Sequence, residues 1–170
     1  MFFSHPFQSN ILIGDCEEAI LSDYGLSRIL ERSGFTTTTQ SATWRYMAPE
    51  LLSVRDDAEH SPRVTMATDV WSFAMTVIEV SYYITPSLSN VLKLGLQILT
   101  GSVPFSHIAR DANVILYVTR GGLPKRECCP QVNDIVWAML ERCWDVAPHR
   151  RPSMATLSRF FFSMQVISRA

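Results

Sequence analysis

Two side chains near the start of the chain, Asn10 and Asp23, carry the hard oxygen donors that Mg²⁺ prefers in proteins. Asp23 opens the tripeptide Asp23-Tyr24-Gly25. A glycine two residues after an aspartate is typical of a tight turn, and most such turns bind no metal. Taken alone, the two side chains are therefore interpreted as ordinary turn residues, and only the surrounding motifs can add a metal-binding role.

A hydroxyl-rich stretch follows this turn and offers acceptors for phosphorylation. It contains the run Thr36-Thr37-Thr38-Thr39, with Ser41 close behind. A phosphate on such a stretch adds negative charge that can order a loop by pairing with arginines. A polar, solvated loop explains the same composition, and the sequence leaves both interpretations open.

Six motifs in a fixed order connect these residues to a known family. They are Asn10-Ile11-Leu12-Ile13, Asp23-Tyr24-Gly25, Ala48-Pro49-Glu50, Asp69-Val70-Trp71-Ser72-Phe73-Ala74, Cys143-Trp144-Asp145 and Pro148-His149-Arg150-Arg151-Pro152-Ser153-Met154. In this order they resemble the large, C-terminal lobe of eukaryotic protein kinases, with residues 23–50 as the activation segment. The resemblance covers residues 9–162, and the last two motifs are similar to those of the tyrosine-kinase-like branch.

The resemblance implies a chemistry, the transfer of the γ-phosphoryl group of ATP to protein serine or threonine in signalling. Asn10, Asp23 and Gly25 match the family positions that bind the nucleotide with its Mg²⁺ ions. Thr43 matches a threonine that positions the substrate in serine/threonine kinases, although Ala42 stands where glycine is usual. Dual specificity remains open.

The resemblance also implies a set of structural residues: Ala48, Pro49, Glu50, Asp69, Trp71, Trp144 and Arg151. Glu50 and Arg151 match a buried carboxylate and guanidinium that pair in the family. Asp69 matches a buried organiser of the catalytic loop. The two tryptophans are expected in the core, where large apolar side chains are usually buried.

The catalytic loop departs from the family pattern. His5 stands where the family has the catalytic aspartate, and the neighbouring arginine is absent as well. Histidine accepts protons near neutral pH, but Pro6 follows it directly. These 170 residues also contain no glycine-rich loop and no strand lysine, which belong to the N-terminal lobe and hold ATP.

Two functions follow from these departures. The first is a truncated and inactive piece of a kinase whose partners are protein substrates, with the N-terminal lobe missing. The alternative is a noncatalytic pseudokinase that acts as a scaffold for other kinases. A coding sequence upstream for a glycine-rich loop and a lysine favours the first, and its absence favours the second.

Two segments interrupt the resemblance. Residues 1–8 have no counterpart in the family, and residues 80–97 separate Glu79 from Ile98, which the family pattern joins directly. A pyrimidine tract ending in CAG, the acceptor end of an intron, can encode the first segment, and a GTAAGT donor can begin the second. We expect translated intron at both places within a domain that otherwise spans 9–170, with a genuine loop insertion at 80–97 as the alternative.

The composition is that of one domain with a hydrophobic core. Hydrophobic residues make up 47% of the chain, and a net charge of −1 argues against nucleic acid as the main partner. Pro86, Asn90 and Lys93 interrupt the most apolar segment, so no run is long enough to span a membrane. The four cysteines lack metal-binding spacing and no secretory leader precedes them, which predicts reduced, buried thiols and a cytoplasmic, intracellular location.

Hydrophobic spacing predicts a mainly helical fold with minor strands. Apolar residues at intervals of three and four predict helices over 112–118 and 132–144 and a last helix from Met154 through Leu157 to Phe161, with Pro152 in its first turn. The predicted buried face of the helix over 132–144 comprises Val132, Ile135, Val136, Met139, Leu140 and Cys143.

Two further elements are predicted from their composition. Residues 69–79 are apolar almost all round, which is typical of a helix at the centre of a bundle. Proline cannot continue such a helix, so it must end before Pro86 or leave the core. Two short apolar runs, 11–13 and 19–21, are separated by a turn and predict a hairpin.

Overall fold

A computed structural model of the chain describes residues 11–13, 15, 19–21, 43–52, 64–81, 103–130 and 132–168. Several predicted functional residues lie outside the described residues: His5, Asn10, Asp23, Gly25, Thr36, Thr37, Thr38, Thr39 and Ser41. The segment 1–8 also lies outside them, as does 80–97 except for the backbone of its first two residues.

The predicted hairpin is confirmed as a two-stranded antiparallel sheet. Strand β1 (Ile11–Ile13) pairs with strand β2 (Ala19–Leu21), and the register places Ile11 opposite Leu21 and Ile13 opposite Ala19. Branched side chains such as isoleucine favour the extended backbone that this pairing needs.

The central helix, α2 (Met66–Ser81), follows a short helix, α1 (Pro49–Leu52). A reciprocal cap begins α2, because the Thr68 N–H donates to Thr65 Oγ1 at 3.3 Å and the Thr65 N–H donates to Thr68 Oγ1 at 2.9 Å. Burial extends from Thr68 to Glu79 on most sides of the helix and includes the polar side chains of Thr68, Asp69, Ser72, Thr76 and Glu79 as well as apolar ones. The helix ends at Ser81, before Pro86, and remains in the core as far as Glu79.

Helix α3 (Asp111–Thr119) ends in a glycine-dependent cap. The Gly121 N–H donates to the Val118 carbonyl at 2.9 Å and the Gly122 N–H to the Tyr117 carbonyl at 2.8 Å, while Gly121 has φ +85°. A Cβ atom on Gly122 would lie 2.4 Å from the Tyr117 ring. The two glycines therefore permit both the left-handed turn and the close approach of the tyrosine.

Helix α4 (Asp134–Cys143) lies where the spacing predicts a helix, but one predicted core residue is wrong. Ile135 is 61% exposed, whereas Trp137 is buried and packs edge to face on Trp144 at 5.5 Å between ring centroids. The spacing of three and four predicts Ile135 on the buried face and leaves Trp137 off it. The two buried indole rings instead turn the helix so that the face bearing Trp137, Leu140 and Trp144 lies against the core.

Helix α5 (Met154–Ser168) closes the described part of the chain. Ser153 caps it by accepting the Thr156 N–H at 3.2 Å, so Pro152 lies before the helix and the prediction that it occupies the first turn is wrong. Leu157 is buried, and Phe161 packs edge to face on Phe73 of α2 at 5.7 Å.

Three single turns of 3₁₀ helix connect these elements, at Thr43–Tyr46, Arg126–Cys128 and Pro148–Arg150. With five α-helices and one two-stranded sheet among the described residues, the predicted mainly helical fold with minor strands is confirmed. Its largest fully buried side chains include Trp71, Trp144, Tyr46 and Met75. None of the helices within the described ranges is both long and apolar enough to cross a membrane.

Three of the four cysteines lie in the described residues, and each is a free thiol. Cys129 and Cys143 are buried, and burial raises the pKa of Cys129 to about 11 and that of Cys143 to about 12. Cys128 is exposed, so the prediction of buried thiols is wrong for this residue.

Candidate functional site

The candidate site is the segment 43–52, which comprises the turn Thr43–Tyr46, the motif Ala48-Pro49-Glu50 and helix α1. Ala48 is fully buried, and Pro49 occupies the first position of α1, where a missing N–H leaves no hydrogen bond unmade. Three polar anchors fix this segment to distant parts of the fold.

The first anchor joins Glu50 to Arg151, 101 residues later. Two parallel hydrogen bonds connect them, from Nη1 to Oε1 at 2.7 Å and from Nη2 to Oε2 at 2.8 Å. Arg151 also donates to the carbonyls of Ala67 and Asp145, each at 2.9 Å, and its guanidinium lies 5.1 Å from the ring centroid of Trp71. The arginine side chain is 0% exposed and that of Glu50 is 28% exposed, so the pair lies largely within the protein.

The second anchor holds Tyr46 at two points on α2. The tyrosine hydroxyl donates to Glu79 Oε2 at 2.7 Å, and the Ser72 hydroxyl donates to the Tyr46 carbonyl at 2.8 Å. Glu79 is 1% exposed, and its Oε1 has no hydrogen-bond partner among the described residues. Burial raises the pKa of the Glu79 carboxyl above its ordinary value, although the hydrogen bond from Tyr46 opposes this shift.

The third anchor is the buried guanidinium of Arg45. Its Nε and Nη2 atoms lie 3.0 and 2.9 Å from Asp111 Oδ1 at the start of α3. Nη1 donates to the carbonyls of Pro104 and Phe105 at 3.0 and 2.9 Å, and Nη2 donates to the Ile108 carbonyl at 2.9 Å. The turn before Met47 is therefore joined to the segment that leads into α3.

The other predicted structural residues surround these anchors. Asp69, in the first turn of α2, is 4% exposed, and its N–H donates to the Thr65 carbonyl at 3.2 Å. Trp71 and Trp144 are each 1% exposed. Thr43 begins the turn that contains Arg45 and Tyr46. The structure thus brings the end of the predicted activation segment, the start of α2 and the Arg151 turn into one polar cluster.

Comparison with protein families decides which family this arrangement belongs to. The family model described as protein tyrosine and serine/threonine kinase matches residues 8–161, most of the chain. The chain belongs to this kinase family. The predicted membership and the helical, C-terminal-lobe character of the fold are therefore confirmed.

Individual relatives include kinases of both specificities. Serine/threonine-protein kinase STY17 of Arabidopsis thaliana is 28% identical over 151 residues, which are 88% of this chain and 21% of that protein. The LRR receptor-like serine/threonine-protein kinase FEI 2 of the same plant is 30% identical over 147 residues, 86% of this chain and 23% of that protein. Tyrosine-protein kinase Shark of Drosophila melanogaster is 29% identical over 156 residues, 89% of this chain and 14% of that protein. The chain thus spans less than a quarter of the length of each of these relatives.

The predicted nucleotide and metal half of the site lies outside the described residues. Asn10, Asp23 and Gly25, the expected cofactor residues, belong to it, as does His5 at the position of the catalytic base. The phosphorylation acceptors at 36–39 and at Ser41 lie outside as well. The described part of the site is the segment 43–52, which the kinase resemblance predicts to support the protein substrate.

Sequence reasoning missed five residues of the three anchors: Arg45, Asp111, Tyr46, Ser72 and Glu79. One signal was present for Glu79, because a carboxylate in an otherwise apolar, centrally placed helix must find a hydrogen-bond donor. Arg45 gave a similar signal, since it stands between Trp44 and Tyr46 directly before the motif that ends the activation segment.

Proposed function

We propose that this chain is the C-terminal lobe of a domain that transfers the γ-phosphoryl group of ATP to serine or threonine in proteins. The observation that carries the proposal is the anchoring of 43–52 by Glu50–Arg151 and Tyr46–Glu79. Phosphoryl transfer depends mainly on positioning and electrostatic stabilisation, so the segment that supports the substrate must be held rigidly. Membership of the kinase family supplies the reaction class.

Serine/threonine specificity is favoured by residues before the Ala-Pro-Glu motif. Thr43 stands at the position of the family's substrate-positioning threonine, and the sequence Trp44-Arg45-Tyr46 separates it from Met47. Two of the relatives described above are named serine/threonine kinases, which supports this assignment, while a third is named a tyrosine kinase. Phosphoamino-acid analysis of a labelled substrate separates the two specificities.

ATP and Mg²⁺ are the proposed cofactors. The amide oxygen of Asn10 and the carboxylate of Asp23 are hard donors, and this donor chemistry suits Mg²⁺. When bound, the metal supplies positive charge that neutralises the nucleotide phosphates. Asn10 and Asp23 would hold it, and Gly25 would let the backbone turn close to it.

The 170 residues taken alone are proposed to be inactive. Neither a glycine-rich loop nor a strand lysine occurs among them, and His5 occupies the position of the catalytic aspartate. His5 also supports a second candidate function, a noncatalytic pseudokinase that binds protein substrates or other kinases. We place either form in the cytoplasm, on the reduced thiols expected from the cysteine pattern.

Transcript sequencing across residues 79–98 and upstream of Met1, followed by a phosphotransfer assay of the encoded protein, tests the proposal. If 1–8 and 80–97 are translated intron, transcripts join Glu79 to Ile98 and add an N-terminal lobe with a catalytic aspartate. The product then labels serine or threonine of a generic protein substrate with γ-labelled ATP. Transcripts that retain His5 and 80–97, with no labelling, would contradict the enzyme and favour the pseudokinase.

A further inference from the structure

The contacts of Arg45 all fall within one distant stretch, residues 104–111. Four different acceptors surround the guanidinium there, three of them backbone carbonyls and the fourth the carboxylate of Asp111. The arginine is 7% exposed. A buried guanidinium needs most of its N–H groups paired, and its rigid, planar fork suits several acceptors better than the single point charge of lysine does.

One of the residues that accepts from this guanidinium has a strained backbone. Phe105 has φ 57°, the left-handed region that aromatic residues rarely adopt, and it is buried. Its carbonyl accepts both from Arg45 Nη1 at 2.9 Å and from the Ile108 N–H at 2.8 Å, while its ring packs on Tyr117 of α3. A strained conformation persists only where its surroundings hold it, and such residues concentrate at functional sites.

We propose that Arg45 is a positioning residue that couples the turn Thr43–Tyr46 to the start of α3. The proposal rests on the proposed function, because this turn faces a protein substrate only if the chain is a kinase lobe. A displacement of α3 is transmitted through Asp111 and the strained turn at Phe105. It moves the residues directly before Met47 and Ala48. Arg45 thus sets the turn relative to α3, whereas Glu50 and Arg151 set the other end of the same segment.

The protein offers a matched pair of variants for the test. Asp111 begins α3 and Asp134 begins α4, and each accepts from an arginine at 2.9 Å. Asp111→Ala and Asp134→Ala therefore both remove an ion pair and a negative charge from a helix N-terminus. Only the first removes a contact to the turn Thr43–Tyr46.

Amide hydrogen exchange of the full chain reports the coupling. We expect Asp111→Ala to accelerate exchange within residues 44–52 by about tenfold, the scale of one lost charge-assisted hydrogen bond, without accelerating exchange in α4. Asp134→Ala should leave residues 44–52 at the wild-type rate. Unchanged exchange of this segment in Asp111→Ala, or equal acceleration in both variants, overturns the proposal.

Tryptophan fluorescence provides a second readout that general destabilisation would not reproduce. Trp44 is half-buried, whereas Trp71, Trp137 and Trp144 are buried. Asp111→Ala should increase the fraction of emission that acrylamide quenches, and the increase should disappear in a Trp44→Phe background. If it persists in that background, the altered tryptophan is elsewhere and the proposal fails.

Conservative variants guard against simple misfolding. Asp111→Asn keeps an oxygen acceptor for Arg45 and should retain most of the wild-type protection of residues 44–52. Arg45→Lys keeps the charge but loses the fork, and it should accelerate their exchange as Asp111→Ala does. Wild-type exchange in Arg45→Lys contradicts the proposal even where Asp111→Ala does not fold.

Neither measurement requires ATP or a substrate, so the two proposals can fail separately. Absence of activity in a phosphotransfer assay of the transcript-encoded protein leaves the exchange result unaffected and counts against the proposed function. Unchanged exchange in Asp111→Ala and Arg45→Lys counts against the coupling even if the transcript-encoded protein phosphorylates a protein substrate.

Discussion

Two arginines in this protein make similar contacts in different surroundings. Arg151 pairs with Glu50 at 2.7 Å and lies over Trp71, and Arg126 pairs with Asp134 at 2.9 Å and lies over Trp137. Each also donates to backbone carbonyls. The Arg151 pair spans 101 residues and its arginine side chain is 0% exposed, whereas the Arg126 pair spans eight residues and its aspartate is 94% exposed.

The difference shows that the ion pair itself does not determine what an arginine contributes. Water competes for an exposed carboxylate and screens its charge, so the Arg126 pair adds little beyond ordering its own loop. Arg151 connects the end of the predicted activation segment to α2 and to the turn before α5, and loss of one partner leaves a buried charge without compensation. Burial and sequence separation therefore predict very different effects of the same substitution.

The largest effect is expected for Arg151→Ala. Removing the guanidinium leaves the Glu50 carboxylate and two backbone carbonyls without their hydrogen-bond donor. We therefore expect a loss of about 3 to 5 kcal/mol in the free energy of unfolding. Urea denaturation followed by circular dichroism measures it. Arg126→Ala is the matched control and should lose under half as much; equal losses would remove the distinction between the two regions.

Tyr46→Phe should have the next largest effect. The variant leaves the buried Glu79 carboxylate without its hydroxyl donor, which is expected to destabilise the protein by about 1 to 3 kcal/mol. Tyr117→Phe serves as the control, because that hydroxyl donates to the Leu123 carbonyl at 3.2 Å in a partly exposed position. The shift in the midpoint of unfolding measures both variants. A shift in Tyr117→Phe as large as that in Tyr46→Phe would argue against a special role for the buried contact between Tyr46 and Glu79.

The pH dependence of stability tests the environment of Glu79. Burial raises the pKa of its carboxyl above 4.5, so the folded protein retains this proton at pH values where the unfolded chain has lost it. Stability should therefore fall as pH rises from 4.5 to the folded-state pKa and then level off, as far as this group is concerned.

Glu79→Gln isolates that contribution, since glutamine keeps an oxygen that can accept from Tyr46 and does not ionise. Its stability relative to the wild type should increase as pH rises above 4.5 and should be smallest in acid. Thermal melts at matched pH values measure the difference. A relative stability that declines with rising pH would show that ionised Glu79 is stabilising and that its pKa is lowered.

The smallest effect is expected for Asp134→Ala. An exposed ion pair is worth below about 1 kcal/mol, and salt weakens it further. Urea denaturation at low and high salt should give a small loss that shrinks as salt is added. A large loss in the free energy of unfolding that does not change with salt would show that Asp134 contributes as the buried anchors do. It would remove the contrast with Glu50.

The sequence predicted the parts of this structure that depend on local pattern. Two short apolar runs on either side of a turn located the hairpin, and the all-round apolar stretch 69–79 located the central helix. Ile135 shows the limit of prediction from spacing. Spacing alone does not reveal that Trp137 and Trp144 pack together in the interior and leave Ile135 facing outward. The kinase motifs supplied the expected pairing of Glu50 with Arg151.

The Arg45 and Tyr46 anchors were not predicted, for a physical reason. Their partners lie 26 to 66 residues away, and nothing in local composition specifies which distant group a buried polar group will meet. The predicted metal-binding residues present the opposite case, since Asn10 and Asp23 were assigned from motifs and lie outside the described residues.

A pair of double-mutant cycles tests the central claim, that the end of the predicted activation segment is held by a buried, long-range ion pair. One cycle combines Glu50→Ala with Arg151→Met, which keeps much of the arginine volume, and the other combines Asp134→Ala with Arg126→Met. Unfolding free energies should give a coupling above about 2 kcal/mol for the first cycle and below about 1 kcal/mol for the second. Equal couplings, or a larger one for Arg126 and Asp134, would contradict the account.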